Sequence, residues 1–185
     1  MPQYWWRWYI YTPPYSLYKA KRADVIIALT FGIGPNGEPG RSNKQIARAA
    51  AELHQATGKP IIAQKEVYEA IRDLGTVNMD QVVYLPGPNE KVEGIHYHSA
   101  DSLKHAKEVC VQHEWGTEAS LVGYTDHVPR VHWAWEKLGG TVVHVETRGI
   151  ECCPNSTQLW CRGMKIFQTW ELGGAIPSYV AWNRI

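Results

Sequence analysis

Apolar residues in this chain recur as short unbroken runs: Val25-Ile26-Ile27-Ala28-Leu29, Ile61-Ile62-Ala63, Val82-Val83-Tyr84-Leu85, Ala119 to Val122, and the run from Thr141 through Val142, Val143 and Val145. None of them alternates cleanly between polar and apolar, which is the pattern of strands covered on both faces. We expect strands over Asp24–Leu29, Ile61–Gln64, Gln81–Leu85, Ala119–Val122 and Thr141–Glu146. Between them the apolar spacing becomes helical. Ser42 or Asn43 offers an N-cap for a helix reaching Leu53, and further helices are predicted over Glu66–Leu74, Asp101–Glu114 and Val131–Leu138, the last ending at Gly139-Gly140. Strands alternating with helices at this spacing predict an α/β fold, a Rossmann-like open and mostly parallel sheet with helices on both faces.

The flanks depart from this pattern. Residues 1–22 form an aromatic arm, with Trp5-Trp6-Arg7-Trp8-Tyr9 leading to Pro13-Pro14; residues 23–150 hold the α/β pattern; residues 151–185, with Cys152-Cys153-Pro154, Trp160, Cys161, Trp170 and Trp182, read as a covering segment of the same domain. A helix is expected over Ser156–Trp170 and a last extended segment after Pro177. The arm lacks the aliphatic stretch and small-residue cleavage site of a secretory signal. Its tryptophans and tyrosines suit packing on the domain, a contact between copies of the chain, or a membrane surface.

Composition narrows the partners. The 185 residues suit one domain with a full core, and a net charge of +1 from 19 basic and 18 acidic residues gives no bulk attraction for nucleic acid or an acidic membrane. An anion site must therefore be local. No apolar run approaches the roughly 20 residues of a membrane span, so no integral membrane segment is expected. Four cysteines are too few for a disulfide framework in a chain of this length, which points to a reducing, cytoplasmic setting.

The chemistry gathers at predicted strand ends, where open α/β sheets keep their ligand sites. Gly32-Ile33-Gly34 follows the first strand but lacks the G-x-G-x-x-G spacing, and no Walker-type Gly-Lys-Ser or Gly-Lys-Thr occurs. These glycines serve either a tight turn or a backbone lining to which Arg41 adds a planar fork for an anion. After the strand ending at Val122 comes Gly123-Tyr124-Thr125-Asp126-His127-Val128-Pro129-Arg130, which brings a hydroxyl, a carboxylate, an imidazole and a guanidinium to one turn. His96, His98, His105, Glu93 and Asp101 crowd another segment, but His-x-His alone does not define a metal site, and Cys152, Cys153 and Cys161 lack paired zinc spacing, so no metal is expected. A serine triad can be assembled on paper from Ser99 or Ser102, His127 and Asp101 or Asp126, without the G-x-S-x-G elbow of a nucleophile.

The order of these motifs resembles that of the YdcF/SanA/ElyC family of bacterial domains of unknown function. The likeness runs from about Ala23 to Val145: a glycine cluster after the first strand (Gly32, Gly34), an arginine in the next helix (Arg41), a hydroxyl motif (Ser99-Ala100-Asp101-Ser102, then His105-Ala106), and a late His127-x-x-Arg130 pair after Thr125. The chain departs from the family's pattern at Ala63-Gln64-Lys65-Glu66, where relatives carry a Ser-Gly-Gly-like turn, and Asp101, Ser102 and His105 replace Asn, Thr and Asn. The resemblance implies a Rossmann-like sheet and brings S-adenosylmethionine forward as a ligand; it settles no reaction.

The expected function is that of a small-molecule-binding domain. An anionic, nucleotide-like or phosphorylated ligand would be held by Gly32, Gly34, Arg41, Ser99, Asp101, Ser102, Thr125, His127 and Arg130, with His127 as acid or base should chemistry follow. The competing expectation is a non-catalytic assembly protein that uses its Trp-rich termini, with copies of the chain joined through the aromatic arm. Whether the chain is an enzyme is left open by its sequence.

Overall fold

The computed structural model describes residues 14–87, 90–92, 95–96 and 99–175. The aromatic arm before Pro14, the segment holding Glu93 and His98, and the expected strand after Pro177 lie outside them. A short helix, α1 (Leu17–Ala20), precedes five strands that form one sheet: β1 (Val25–Ala28), β2 (Ile61–Gln64), β3 (Val82–Leu85), β6 (Glu118–Val122) and β7 (Thr141–Glu146). All pairings are parallel and the spatial order is β3-β2-β1-β6-β7. The fold is therefore a Rossmann-like α/β fold with a five-stranded parallel open sheet, as the strand-helix alternation predicts. A two-stranded antiparallel hairpin, β4 (Lys91–Val92) with β5 (Ile95–His96), stands apart in a stretch the sequence reads as loop.

Both faces of the sheet are covered, which explains the unbroken apolar runs. Ile26 and Ala28 of β1 point into one core with Ile46, Ala47 and Ala50 of α2 (Arg41–Thr57) and Val67, Ala70 and Ile71 of α3 (Lys65–Leu74). Their neighbours Val25 and Ile27 point into the other, with Leu103, Ala106 and Val109 of α4 (Ser99–Gln112) and Val131, Ala134 and Trp135 of α5 (Val128–Lys137). Trp135 is fully buried and its indole N–H donates to the Thr117 carbonyl at 3.1 Å. Gly58 ends α2 in the left-handed region at φ 71°, where a side chain would be strained.

Two local expectations are corrected. Helix α2 starts at Arg41 with Gly40 as its N-cap, because Ser42 and Asn43 are engaged elsewhere: Ser42 Oγ donates to the Glu151 carbonyl, and Asn43 accepts from Phe31 N and donates to the Gly32 carbonyl. The helix expected over Ser156–Trp170 is broken into a 3-10 turn, Leu159–Arg162, and α6 (Met164–Trp170), because Gly163 is extended at φ −165°, ψ 149°. Beyond α6 the described chain continues as a π-type turn, Glu171–Ala175.

Among the described residues no helix is long and apolar enough to cross a membrane. All four cysteines are free thiols.

Candidate functional site

The strand order reverses between β1 and β6, and the loops leaving their carboxyl ends define the crevice in which a doubly wound sheet binds ligands. Phe31, from the loop after β1, stacks on Tyr124, from the loop after β6, with ring centroids 4.2 Å apart and planes 17° from parallel. Phe167 of α6 closes over both, edge-on to Phe31 at 4.8 Å and to Tyr124 at 5.8 Å. His127 lies against this cluster, 6.0 Å from Phe31 and 6.2 Å from Phe167. The strand ends are thus covered by a buried aromatic cluster, which the segment after residue 150 closes with Phe167.

Ser99, at the start of α4, faces His127 and Arg130 at the opening of α5. Ser99 Oγ is 3.3 Å from His127 Nε2, and Arg130 Nη1 reaches the same oxygen at 3.4 Å. A guanidinium can only donate, so the serine oxygen accepts from Arg130; a hydroxyl oxygen can accept twice as well as donate once, so its bond with His127 Nε2 takes its direction from the imidazole tautomer. Burial, with the Arg130 charge adding to it, holds the His127 pKa well below its ordinary value and keeps that ring neutral.

Arg130 is held from its other edge. Its Nε and Nη2 meet Glu171 Oε1 at 3.0 and 2.8 Å, in an ion pair whose side chains are 5% and 0% exposed. Glu171 therefore fixes the guanidinium so that Nη1 points at Ser99. Burial raises the Glu171 pKa even though Arg130 pulls it down. Its second oxygen is buried and meets no hydrogen-bond donor among the described residues. The Trp170 ring lies 5.9 Å from the guanidinium carbon. Asp126, half-buried, accepts from Tyr124 OH at 3.2 Å and Gln168 Nε2 at 3.4 Å; desolvation raises its pKa against those two bonds.

A second buried network joins the ends of β1 and β2 to α4. Gln64 accepts from Thr30 N at 3.0 Å and donates to Ser102 Oγ at 3.0 Å; Thr30 Oγ1 donates to Glu66 Oε2 at 2.8 Å. Desolvation raises the Glu66 pKa, with the Thr30 bond opposing it. A carboxyl whose folded pKa lies above its unfolded value adds stability that is fully present below the unfolded pKa and is lost as pH rises through the folded one. Glu66→Gln is therefore expected to raise the urea midpoint at pH 7 and leave it nearly unchanged at pH 4. A loss of stability at pH 7 would show that the charged form is the one the fold favours.

The structure brings together Ser99, His127 and Arg130, and through Gln64 it places Ser102 in the adjoining network. Asp101 is half-buried in the first turn of α4, and Thr125 is exposed at the tip of its turn. Arg41 is elsewhere: its side chain is 61% exposed and pairs with Glu151 at 2.5 Å. The freedom of Gly32, at φ +75°, is used by the protein itself, since a methyl group there would lie 2.9 Å from Cys153 Cβ and 3.2 Å from Cys161 Cβ. The neighbouring Ile33 is tied to the same segment, its N–H donating to Ser156 Oγ and its carbonyl accepting from Thr157 N. Gly34 packs on Glu38 within its own loop. The close approach that glycine permits is thus made by the covering segment.

The residues missing from the sequence-based set are Thr30, Gln64, Glu66, Phe167 and Glu171. Glu66 and Gln64 follow β2, and polar residues at a strand end were a usable signal. Glu171 carries none, because it reaches the site only through the fold of the tail. Among the described residues no group of three His, Cys, Asp or Glu side chains is arranged to hold a metal ion.

No protein-family model matches this chain, and no curated protein or solved structure matches it either. The resemblance to the YdcF/SanA/ElyC family rests on the order of the motifs alone.

Proposed function

We propose that this chain binds a small, singly anionic molecule at the carboxyl ends of β1 and β6. The observation that supports this reading is the convergence of Ser99, His127 and Arg130 on one hydroxyl oxygen, from segments 28 and 31 residues apart. Glu171 already balances most of the guanidinium charge, so the seat suits one carboxylate or phosphodiester group better than a polyphosphate. Trp170, half-buried beside the guanidinium, supplies π surface for the remainder of the ligand. S-adenosylmethionine, which the family resemblance brings forward, carries one carboxylate and an aromatic base for such a seat, on a molecule that its ammonium and sulfonium make a net cation.

Calorimetric titration with S-adenosylmethionine, cyclic nucleoside monophosphates and sugar phosphates tests the reading. Binding of a singly anionic member is expected, weakened about tenfold or more in Arg130→Lys, which keeps the charge opposite Glu171 but loses the planar fork. Equal heats from wild type and Arg130→Lys across the panel would count against the site.

A further inference from the structure

The arrangement around Ser99 holds the parts of an activated nucleophile, and it has a hydrolase's polarity. Ser99 Oγ lies 3.3 Å from His127 Nε2, which in the tautomer that carries its proton on Nδ1 accepts the serine proton, while a fixed cation lies 3.4 Å from the same oxygen. Nucleophile-to-base distances are commonly at this looser end before substrate is present. The base is 5% exposed and the cation 6%, whereas Ser99 is half-buried, so the serine is the least enclosed of the three residues.

We propose that Ser99 is a catalytic nucleophile with His127 as its general base, and that the molecule taken at this site is a carboxylic ester or thioester. This inference rests on the binding reading above and adds a reaction to it: the single negative charge that the Arg130 seat suits is then the oxyanion of the intermediate, and afterwards the carboxylate of the released acid. In the first step Ser99 Oγ bonds to the carbonyl carbon as its proton passes to His127 Nε2. The carbonyl oxygen takes up the electron pair as a single negative charge near Arg130 Nη1. Collapse of that intermediate breaks the bond to the alcohol or thiol, which leaves with the proton from His127, and an acyl-Ser99 ester remains. Water then repeats the sequence, with His127 taking its proton, and releases the carboxylic acid and free Ser99.

The charge balance of the site selects acyl over phosphoryl transfer. A phosphate monoester brings two negative charges in the ground state, and transfer of its phosphoryl group spreads that charge over three oxygens. The guanidinium here is shared with a buried carboxylate, so the pair offers little net charge to a dianion but a well-placed donor to one transient oxyanion. Glu171 is then a positioning residue: by occupying Nε and Nη2 it aims Nη1 at the reacting oxygen. His127 is kept in the form that accepts a proton by the aromatic cover of Phe31 and Phe167.

The test uses the full chain and an alkyl fluorophosphonate, which reacts with an activated serine by losing fluoride. Intact mass and peptide mapping are expected to show one adduct, on Ser99, absent from Ser99→Ala and from urea-unfolded protein. It should form on the order of 10²-fold more slowly in His127→Gln. Ser16→Ala, whose hydroxyl caps α1 and takes no part in the site, should label as wild type does. The wild-type labelling rate should hold steady through neutral pH and fall only at acid pH well below the ordinary histidine pKa, so the dyad is tested even if His127→Gln does not fold. No adduct on the folded protein, an adduct on another residue, or a rate on Ser99 that ignores both His127 and pH overturns the proposal. If S-adenosylmethionine or a cyclic monophosphate still binds in an Arg130-dependent way while Ser99 stays unlabelled, the nucleophile fails and the binding site stands; if both are lost, the site itself fails.

Discussion

Glu171→Ala is expected to cost about 3–5 kcal/mol, because it leaves the Arg130 guanidinium buried without its counter-charge. The pair is almost wholly enclosed, with Arg130 at 5% and Glu171 at 0% exposure, so water cannot take the place of the lost carboxylate without local opening. Urea unfolding at pH 7 measures the loss. Glu171→Gln, which keeps an acceptor for Nε, should lose distinctly less. The double variant Arg130→Met/Glu171→Leu should recover much of the stability, because removing both charges also removes the desolvation they cost. A single alanine variant within about 0.5 kcal/mol of wild type would mean that the turn after α6 lifts away freely and that Glu171 does not orient the guanidinium.

This pair also shows where sequence reading stops. The sheet was legible because each strand is buried on two faces, and residues such as Val25 and Ile26 announce that by being apolar in succession. The parallel run of the strands followed from strand-helix alternation, and so did the placing of Gly123 to Arg130 at a strand end, whereas the spatial order β3-β2-β1-β6-β7 is known from the structure. Ser99 and His127 could be named from their types and positions, but which serine meets which histidine is set by the way α4 and α5 cross one face of the sheet. Ser102 is three residues from Ser99, on the same helix, yet bonds to Gln64 on the other side of the crevice. Arg41 was the reasonable anion fork by sequence, since it opens the helix after the glycine loop; the tail packed across that loop and paired Arg41 with Glu151 instead. The N-cap of α2 was misplaced for the same reason, as Ser42 was drawn to the Glu151 carbonyl. The departures at Arg41 and Ser42 both trace to Glu151 and the tail it opens, whose course over the strand ends is fixed by contacts with distant residues and has no local periodicity to betray it.

Phe167→Ala makes that dependence measurable. Phe167 is 2% exposed and is the point at which α6 enters the cluster of Phe31, Tyr124 and His127, so its truncation is expected to cost about 3–5 kcal/mol. A second effect separates this residue from any other core aromatic. Burial is the leading cause of the depressed His127 pKa, so opening a cavity beside the ring should let that pKa climb toward its ordinary value, readable by NMR titration of the imidazole signals. The linked change in stability has a definite sign. A histidine whose folded pKa is depressed contributes stability above its unfolded pKa and loses it as pH falls, because the unfolded chain takes up a proton that the folded chain refuses. The His127 contribution to the urea midpoint should therefore fall between pH 7.5 and pH 5, against the opposite trend of the raised carboxyls Glu66, Asp126 and Glu171, and the histidine-borne fall should be smaller in Phe167→Ala than in wild type. An equal slope in the two proteins would show that Phe167 does not shield His127, and the neutral imidazole would then owe its state to the Arg130 charge instead. With the smaller slope, the tail of the chain becomes the element that keeps the base in its proton-accepting form, and the covering segment belongs to the site as much as the strand ends do.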